Sequence, residues 1–372
     1  MTTDAVGGVW VYAAALARAL CAAGHQVLLV VMGPGPRPDQ LRSLAGVAGL
    51  KVQVTDLQLE WSDPEGADFN HAGDVLLDIA EAFRPDLIHL NGFREAQLDW
   101  PAPVLVVAHS CVQTWWRACR GSAPDEPRWE IYAENVAAGL SAAERWVAPT
   151  AAFRREIAST YHPLCDGVVI RNGLTVEGAA APGKQPIVLG AGRLWDEAKN
   201  LKALAAIAAE LPWLVHIAGP AEAPDQSTRW DQQVSAVKPL GVLSQHELLE
   251  EMASASVFVA PALYEPFGLT VLEAAACGCA LVLSDIPSLR ELWDGAALFI
   301  DPRDRAALRK AVQSVCGHDG MRTCLQAAAR ARAERYSLRA MASGYRQLYS
   351  KMISDSGASR TADDRSFAEL SA

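Results

Sequence analysis

Tyr264-Glu265-Pro266-Phe267-Gly268-Leu269-Thr270-Val271-Leu272-Glu273-Ala274-Ala275-Ala276-Cys277-Gly278 is the stretch around which this chain is organised. An apolar run, Ala255 to Ala260, predicts a strand leading into it. A rigid proline-containing turn follows, then a glycine that lets backbone come close to a ligand, then a short helix closed by Gly278. A helix that opens after such a turn presents free N–H groups and the positive end of its dipole, which suits a phosphate. Glu265 lies in the turn and Glu273 about one turn inside the helix, so both can face one ligand. A diphosphate would repel two glutamates placed against it. They are better suited to accepting hydrogen bonds from neutral hydroxyls at its two ends, so the ligand suggested is a diphosphate flanked by two sugars.

Upstream, Pro186-Ile-Val-Leu-Gly190-Ala191-Gly192-Arg193-Leu194-Trp195-Asp196-Glu197-Ala198-Lys199-Asn200-Leu201 reads as a strand, a glycine-bearing loop and a helix to Ala209. Arg193 and Lys199 stand six residues apart around that loop and can both reach one diphosphate, each offsetting a negative charge as a leaving group develops. Taken alone they would read as solvated charges; the pair of glutamates downstream gives them a common ligand.

The central stretch resembles the Glu-x7-Glu signature of the family-4 retaining glycosyltransferases, which have the GT-B fold and use nucleotide-sugar donors. The resemblance implies that Glu273 holds the nucleotide ribose and Glu265 contacts the donor sugar. Backbone N–H groups of Phe267, Gly268, Leu269 and Thr270 would take sugar and phosphate oxygens. The upstream loop resembles the family's Gly-Arg-Leu…Lys motif, which implies phosphate binding by Arg193 and Lys199; Asn200 stands where glycine is common. Gly7-Gly8 resembles the N-terminal glycine loop that faces the donor phosphates and the acceptor across the cleft, though a lone Gly-Gly is also what a plain turn looks like. Val104-Leu-Val-Val-Ala108-His109-Ser110 puts a histidine at the carboxyl end of a buried strand, where open α/β sheets place ligand-contacting groups. The family has a histidine at this station on the donor sugar, so His109 joins Glu265 as an expected catalytic-site residue. Asn91-Gly92 is a similar candidate for the acceptor side. Arg171-Asn172-Gly173 resembles the family's Pro-Asn-Gly passage, with Arg171 in place of the proline.

The expected fold class is therefore α/β: two Rossmann-like, doubly wound domains facing across a cleft. Expected boundaries are residues 1–175 for an acceptor-side domain and 176–337 for a nucleotide-sugar-binding domain, with Gly178 to Gly183 as the hinge. A helix over 338–352 crosses back to the first domain, and the polar stretch 353–372 is expected to be a disordered tail. Strands are predicted at Gln26 to Met32, Lys51 to Asp56, Leu87 to Leu90, Trp146 to Ala148, Trp213 to Ala218, Val242 to Ser244 and Ala280 to Asp285. The chain opens loop, helix, strand, whereas a doubly wound sheet opens on a strand. Either Met1 to Thr3 is the stump of that strand or the start was assigned too late; a longer native N-terminus is the expectation.

At 372 residues and 51% hydrophobic content, the chain can bury two cores. A net charge of −10 argues against nucleic acid as a partner and against strong adhesion to an anionic membrane. No apolar run reaches the roughly 20 residues that span a bilayer. Eight scattered cysteines without a Cys-x-x-Cys read as reduced thiols, and no metal site is expected because neither Asp-x-Asp nor His-x-x-x-His occurs. The expected partners are a nucleoside diphosphate sugar, as substrate with no cofactor, and an acceptor hydroxyl on a saccharide, a lipid-linked saccharide or a small molecule. The expected place is the cytoplasm or the inner membrane face. Two other readings use the same contacts: a sugar-nucleotide epimerase or hydrolase, and a catalytically silent nucleotide-sugar-binding subunit.

Overall fold

The computed structural model describes residues 1–175, 183–223, 226–230 and 235–370, with side chains to residue 356. The expected hinge therefore lies, apart from Gly183, outside the described residues.

Seven parallel strands build the first lobe: β1 (Thr2–Thr3), β2 (Val27–Val31), β3 (Leu50–Val54), β4 (Ile88–Leu90), β5 (Val104–Val107), β6 (Arg145–Ala148) and β7 (Val168–Val169). They form one sheet ordered β1-β2-β3 and another ordered β4-β5-β6-β7. β1 also lies beside the end of β4, where the Asn91 backbone N–H donates to the Thr2 hydroxyl at 3.0 Å and its side chain to the Thr2 carbonyl at 2.7 Å. The lobe thus reads 3-2-1-4-5-6-7 across the two sheets, and β1 is two residues long.

The second lobe is one six-stranded parallel sheet of β8 (Gln185–Ala191), β9 (Leu214–Ala218), β10 (Val237–Gly241), β11 (Ala255–Ala260), β12 (Ala280–Ser284) and β13 (Leu298–Ile300), ordered β10-β9-β8-β11-β12-β13. Its strand order reverses between β8 and β11, which pair directly, Val257 opposite Val188 and Phe258 opposite Leu189. Ligands of doubly wound sheets bind in the crevice outside the carboxyl ends of such a pair. Both sequence motifs leave from those two ends.

β10 lies at Val237–Gly241, not at the expected Val242 to Ser244. Pro239 disguises it, since proline removes a ladder donor, but β10 is an edge strand and tolerates that loss. Ser244 instead caps the helix Gln245–Ser254, its hydroxyl accepting from the Glu247 N–H while the Glu247 carboxylate accepts from the Ser244 N–H. Helices Val112–Arg120 and Pro287–Trp293 were not anticipated. Both are short, and their apolar residues lack a clear period in sequence.

The last helix, Leu338–Leu370, lays Met341, Ala342, Tyr345 and Met352 into the first lobe's core beside Leu16, Leu105 and Ile170. Its backbone continues past Met352, where a disordered tail was expected; no proline follows that residue to remove a helical N–H.

Candidate active site

The loop after β11 holds the lobes together as well as shaping the site. Tyr264 is buried among first-lobe residues, and its hydroxyl accepts from the Cys111 N–H at 3.1 Å and bonds the Thr114 hydroxyl at 2.8 Å. Two residues on, the Pro266 carbonyl accepts from the Thr150 hydroxyl at 3.1 Å. Thr150 is the N-cap of helix Ala151–Tyr161 and accepts from Phe153 N–H at 3.1 Å. The next two free donors of that helix, Ala151 and Ala152 N–H, are taken at 3.0 and 2.8 Å by the two oxygens of Glu291 on the opposite lobe. Glu265 is thereby fixed between Tyr264 and Pro266, two anchored neighbours.

Lys199 Nζ lies 2.6 Å from the Glu265 carboxylate, both side chains being partly exposed. Arg193 is paired with Asp196 at 2.6 Å, and the other Asp196 oxygen accepts from the Ala198 N–H at 3.0 Å and from the Trp115 indole of the first lobe at 3.1 Å. Burial alone would push the Asp196 carboxyl up; the charges of Arg193 and Lys199 outweigh it and hold the group below the usual carboxylate range. Asp196 therefore stays ionised and orients Arg193 at the cleft.

Glycines set the clearances. A Cβ on Gly7 would lie 2.7 Å from Arg193 Nη1, and one on Gly8 would lie 3.6 Å from Leu269 Cδ1, so the N-terminal loop meets both second-lobe motifs. Gly268 is in the left-handed region at φ 85° and opens the helix Leu269–Ala276. Gly219, which the sequence did not single out, has φ +137°, and a Cβ there would stand 1.8 Å from the Gly192 carbonyl oxygen. The turn after β9 can press against the phosphate-type loop only as glycine.

Seven of the expected residues, Gly7, Gly8, Arg193, Lys199, Glu265, Gly268 and Leu269, are thus linked by direct approach around one crevice. Phe267 turns its side chain into the core, 5.9 Å from the Tyr336 ring, which leaves only its backbone for a ligand. Thr270 follows Leu269 in the first turn of the helix and is partly exposed. Glu273 is buried on the same helix and accepts from the Gln245 side chain at 2.5 Å; burial pushes its carboxyl up to about 7, and the Gln245 bond offsets this only in part. His109 stays within the first lobe, its ring 4.5 Å from that of Tyr12 and its Nε2 2.8 Å from Asn91 Oδ1. Burial holds its pKa at about 3, so the ring is neutral near neutral pH.

Asp196 pairs with Arg193, Gln245 donates to Glu273 and Tyr264 anchors the loop of Glu265 on the first lobe; the sequence assigned none of the three a role. Only Asp196 left a signal, a carboxylate within the cationic loop; the other two act through tertiary contacts. Of the tryptophans near the cleft, Trp115 is spent on Asp196 and Trp195 lies 5.5 Å from the Arg193 guanidinium, while Arg120 covers Trp116 at 4.1 Å. Among the described residues, no cluster of three or more His, Cys, Asp or Glu could hold a metal ion, and all eight cysteines are free.

Residues 6–177 match the family described as Glycosyltransferase Family 4, and residues 185–318 match that described as Glycosyl transferases group 1. The chain is 28% identical over 357 residues to the glycogen synthase of Mycobacterium tuberculosis, covering 83% of this chain and 82% of that protein. It is 30% identical over 227 residues to the alpha-maltose-1-phosphate synthase of Mycolicibacterium smegmatis, covering 53% of this chain and 57% of that one, so it spans little more than half the length of this relative. The fold is similar to that of sucrose-phosphate synthase from Thermosynechococcus elongatus, with a TM-score of 0.78 at 20% identity over 95% of this chain and 99% of that one.

Proposed function

The chain belongs to the family-4, group 1 glycosyltransferases of GT-B fold, and from that premise we propose that it transfers a hexosyl group from a nucleoside diphosphate sugar to an acceptor hydroxyl with retention at the anomeric carbon. The observation that carries this reading is the crevice at the β8/β11 switch point, where Lys199 meets Glu265 at 2.6 Å and Arg193 faces the side-chain-free Gly7. In this reading Arg193, Lys199 and the N–H groups opening the helix at Leu269 receive the diphosphate and stabilise it as it departs. The charge offset comes from the protein's own cations, so the proposed transfer needs neither metal nor cofactor. On diphosphate arrival Lys199 exchanges one anion, Glu265, for another, which frees Glu265 to accept from a sugar hydroxyl. Glu273 takes the ribose hydroxyls in place of Gln245, and His109 with Glu265 orients the sugar ring. Among the described residues no carboxylate is set apart as a nucleophile, and the front-face, oxocarbenium-like route fits that arrangement.

The names of the two relatives, both synthases of glucose-based products, favour a glucosyl-type donor and a saccharide acceptor for this chain. No helix among the described residues is long and apolar enough to cross a membrane, and the proposed place of action is the cytoplasm.

The test is a thermal-shift panel of UDP-glucose, ADP-glucose and GDP-mannose, followed by turnover of the stabilising donor with and without saccharide acceptors. Stabilisation by one donor and acceptor-dependent release of its nucleotide are expected. Complete turnover of donor without acceptor would replace transfer by hydrolysis or epimerisation, and tight binding without turnover would make the chain a binding subunit. No shift with any donor would overturn the reading.

A further inference from the structure

At the carboxyl ends of β4 and β5, two histidines converge on one amide. The Asn91 side chain donates from Nδ2 to the Thr2 carbonyl at 2.7 Å, which turns its Oδ1 the other way. His109 Nε2 lies 2.8 Å and His89 Nε2 3.2 Å from that oxygen. A carbonyl oxygen only accepts, so each ring must carry its proton on Nε2. His89 Nδ1 is then bare, and it accepts from the Tyr349 hydroxyl at 2.6 Å on the helix that crosses back from the second lobe. The Tyr12 hydroxyl, 3.4 Å from His89 Nε2, can only accept there as the longer arm of a shared bond. Each link of this chain then has a donor facing an acceptor, which leaves His109 Nδ1 as a lone pair.

The electrostatics agree. Burial pushes His89 well below its usual value, and His109 stands at about 3 for the same reason. The other ionisable groups against these rings are Tyr12, Tyr345 and Tyr349, all pushed up by burial, and the Met1 amino group, pushed down to about 5. Among the described residues, these groups bring no formal charge to the pair near neutral pH.

We propose that Asn91 is a positioning residue that locks His109 in the Nε2–H tautomer, so that His109 offers the donor sugar a hydrogen-bond acceptor at Nδ1, with His89 and Tyr349 anchoring the lock on the C-terminal helix. His109 then receives a sugar hydroxyl and relays no proton. The identity of that hydroxyl rests on the donor-site reading above; the tautomer does not.

Nitrogen-15 NMR of the full chain labelled at histidine reads the tautomer directly, with His109→Gln and His89→Gln to assign the two signals. Wild-type His109 is expected as a neutral Nε2–H ring from pH 6 to 8. Asn91→Leu should let it redistribute between tautomers and raise the donor KM by about tenfold, while Asn91→Asp, which keeps an acceptor oxygen, should restore the Nε2–H form and move the ring's titration upward. An Nδ1–H ring in the wild type, a wild-type titration near 6.5, or an unchanged tautomer in Asn91→Leu would each overturn the lock. The wild-type spectrum decides the matter even if Asn91→Leu fails to fold. Adding UDP-glucose, ADP-glucose and GDP-mannose in turn separates this proposal from the one it rests on. A donor that binds should shift Nδ1 of His109 and not of His89. If none changes the spectrum or the melting temperature, the donor-site reading falls and the lock is judged on its tautomer alone.

Discussion

Gly7 lies against Arg193 with no side chain between them: a Cβ there would come within 2.7 Å of Nη1. Gly7 has φ −174° and ψ −135°, outside the left-handed region that favours glycine, and Gly7→Ala would displace the end of a flexible side chain. Its melting temperature should stay within about 1 °C of wild type while the donor KM rises about tenfold, roughly 1.4 kcal/mol. Gly35→Ala, where a Cβ meets nothing within 4 Å, is the control. Wild-type kinetics in Gly7→Ala would detach Arg193 from the diphosphate.

Lys199 and Glu265 form a partly exposed pair, which is worth about 1 kcal/mol or less to folding. Lys199→Met and Glu265→Gln should therefore change melting temperature little, yet each should lower kcat by roughly 100-fold or more if both act on the departing donor. Their effects should not add in the double variant, because removing either partner already disrupts the other's placement. Additive losses in a double-mutant cycle would show that they serve separate steps.

Glu273 and Glu60 are carboxyl groups pushed up to about 7, Glu273 by burial and Glu60 by burial and then by the nearby Glu95. From the ordinary 4.5 up to about 7, the folded chain holds protons that the unfolded chain has released, so stability falls as pH rises through that window. The cost for Glu273 is on the order of 3 kcal/mol by pH 8. Glu273→Gln should melt higher than wild type at pH 8, with little difference at pH 4.5, and should lose the donor-induced shift. A variant that keeps the full donor shift would remove Glu273 from the ribose site. Donor affinity of the wild type should rise from pH 6 to 8 as the carboxylate forms.

Glu291 takes two helix N–H groups across the lobe interface and also meets Arg171 at 3.2 Å. Hydrogen bonds to a charged group contribute about 1.5–3 kcal/mol. Glu291→Ala should lower the melting temperature by several degrees and Glu291→Gln by less, because one amide oxygen still accepts. An unchanged melting temperature in Glu291→Ala would mean that the interface at Thr150 and Tyr264 suffices to hold the lobes.

The sequence alone determined the parts of this protein that are local. The Glu265–Glu273 stretch and the Arg193–Lys199 loop, with the strand before and the helix after each, run from Ala255 to Ala276 and from Gln185 to Ile207, so each set of signals is local. Glycine spacing, a cation pair and an apolar run carry their physics wherever the chain folds, so the family and a candidate set of site residues could be read from them. Where local signals misled, as at Pro239 in β10, the reason was an edge position that no short window reveals.

Only the tertiary structure decided which groups are partners. Lys199 and Glu265 are 66 residues apart, Gln245 and Glu273 are 28 apart, and His89 and Tyr349 are 260 apart. Nothing in their neighbours' chemistry announces these pairings, because a hydrogen bond depends on where two segments meet and not on how far apart they lie in the chain. The state of each ionisable group follows the same rule. That His109 is neutral near pH 7 follows from burial, and that the Glu273 carboxyl is pushed up to about 7 follows from burial offset in part by the Gln245 amide; packing supplies both environments.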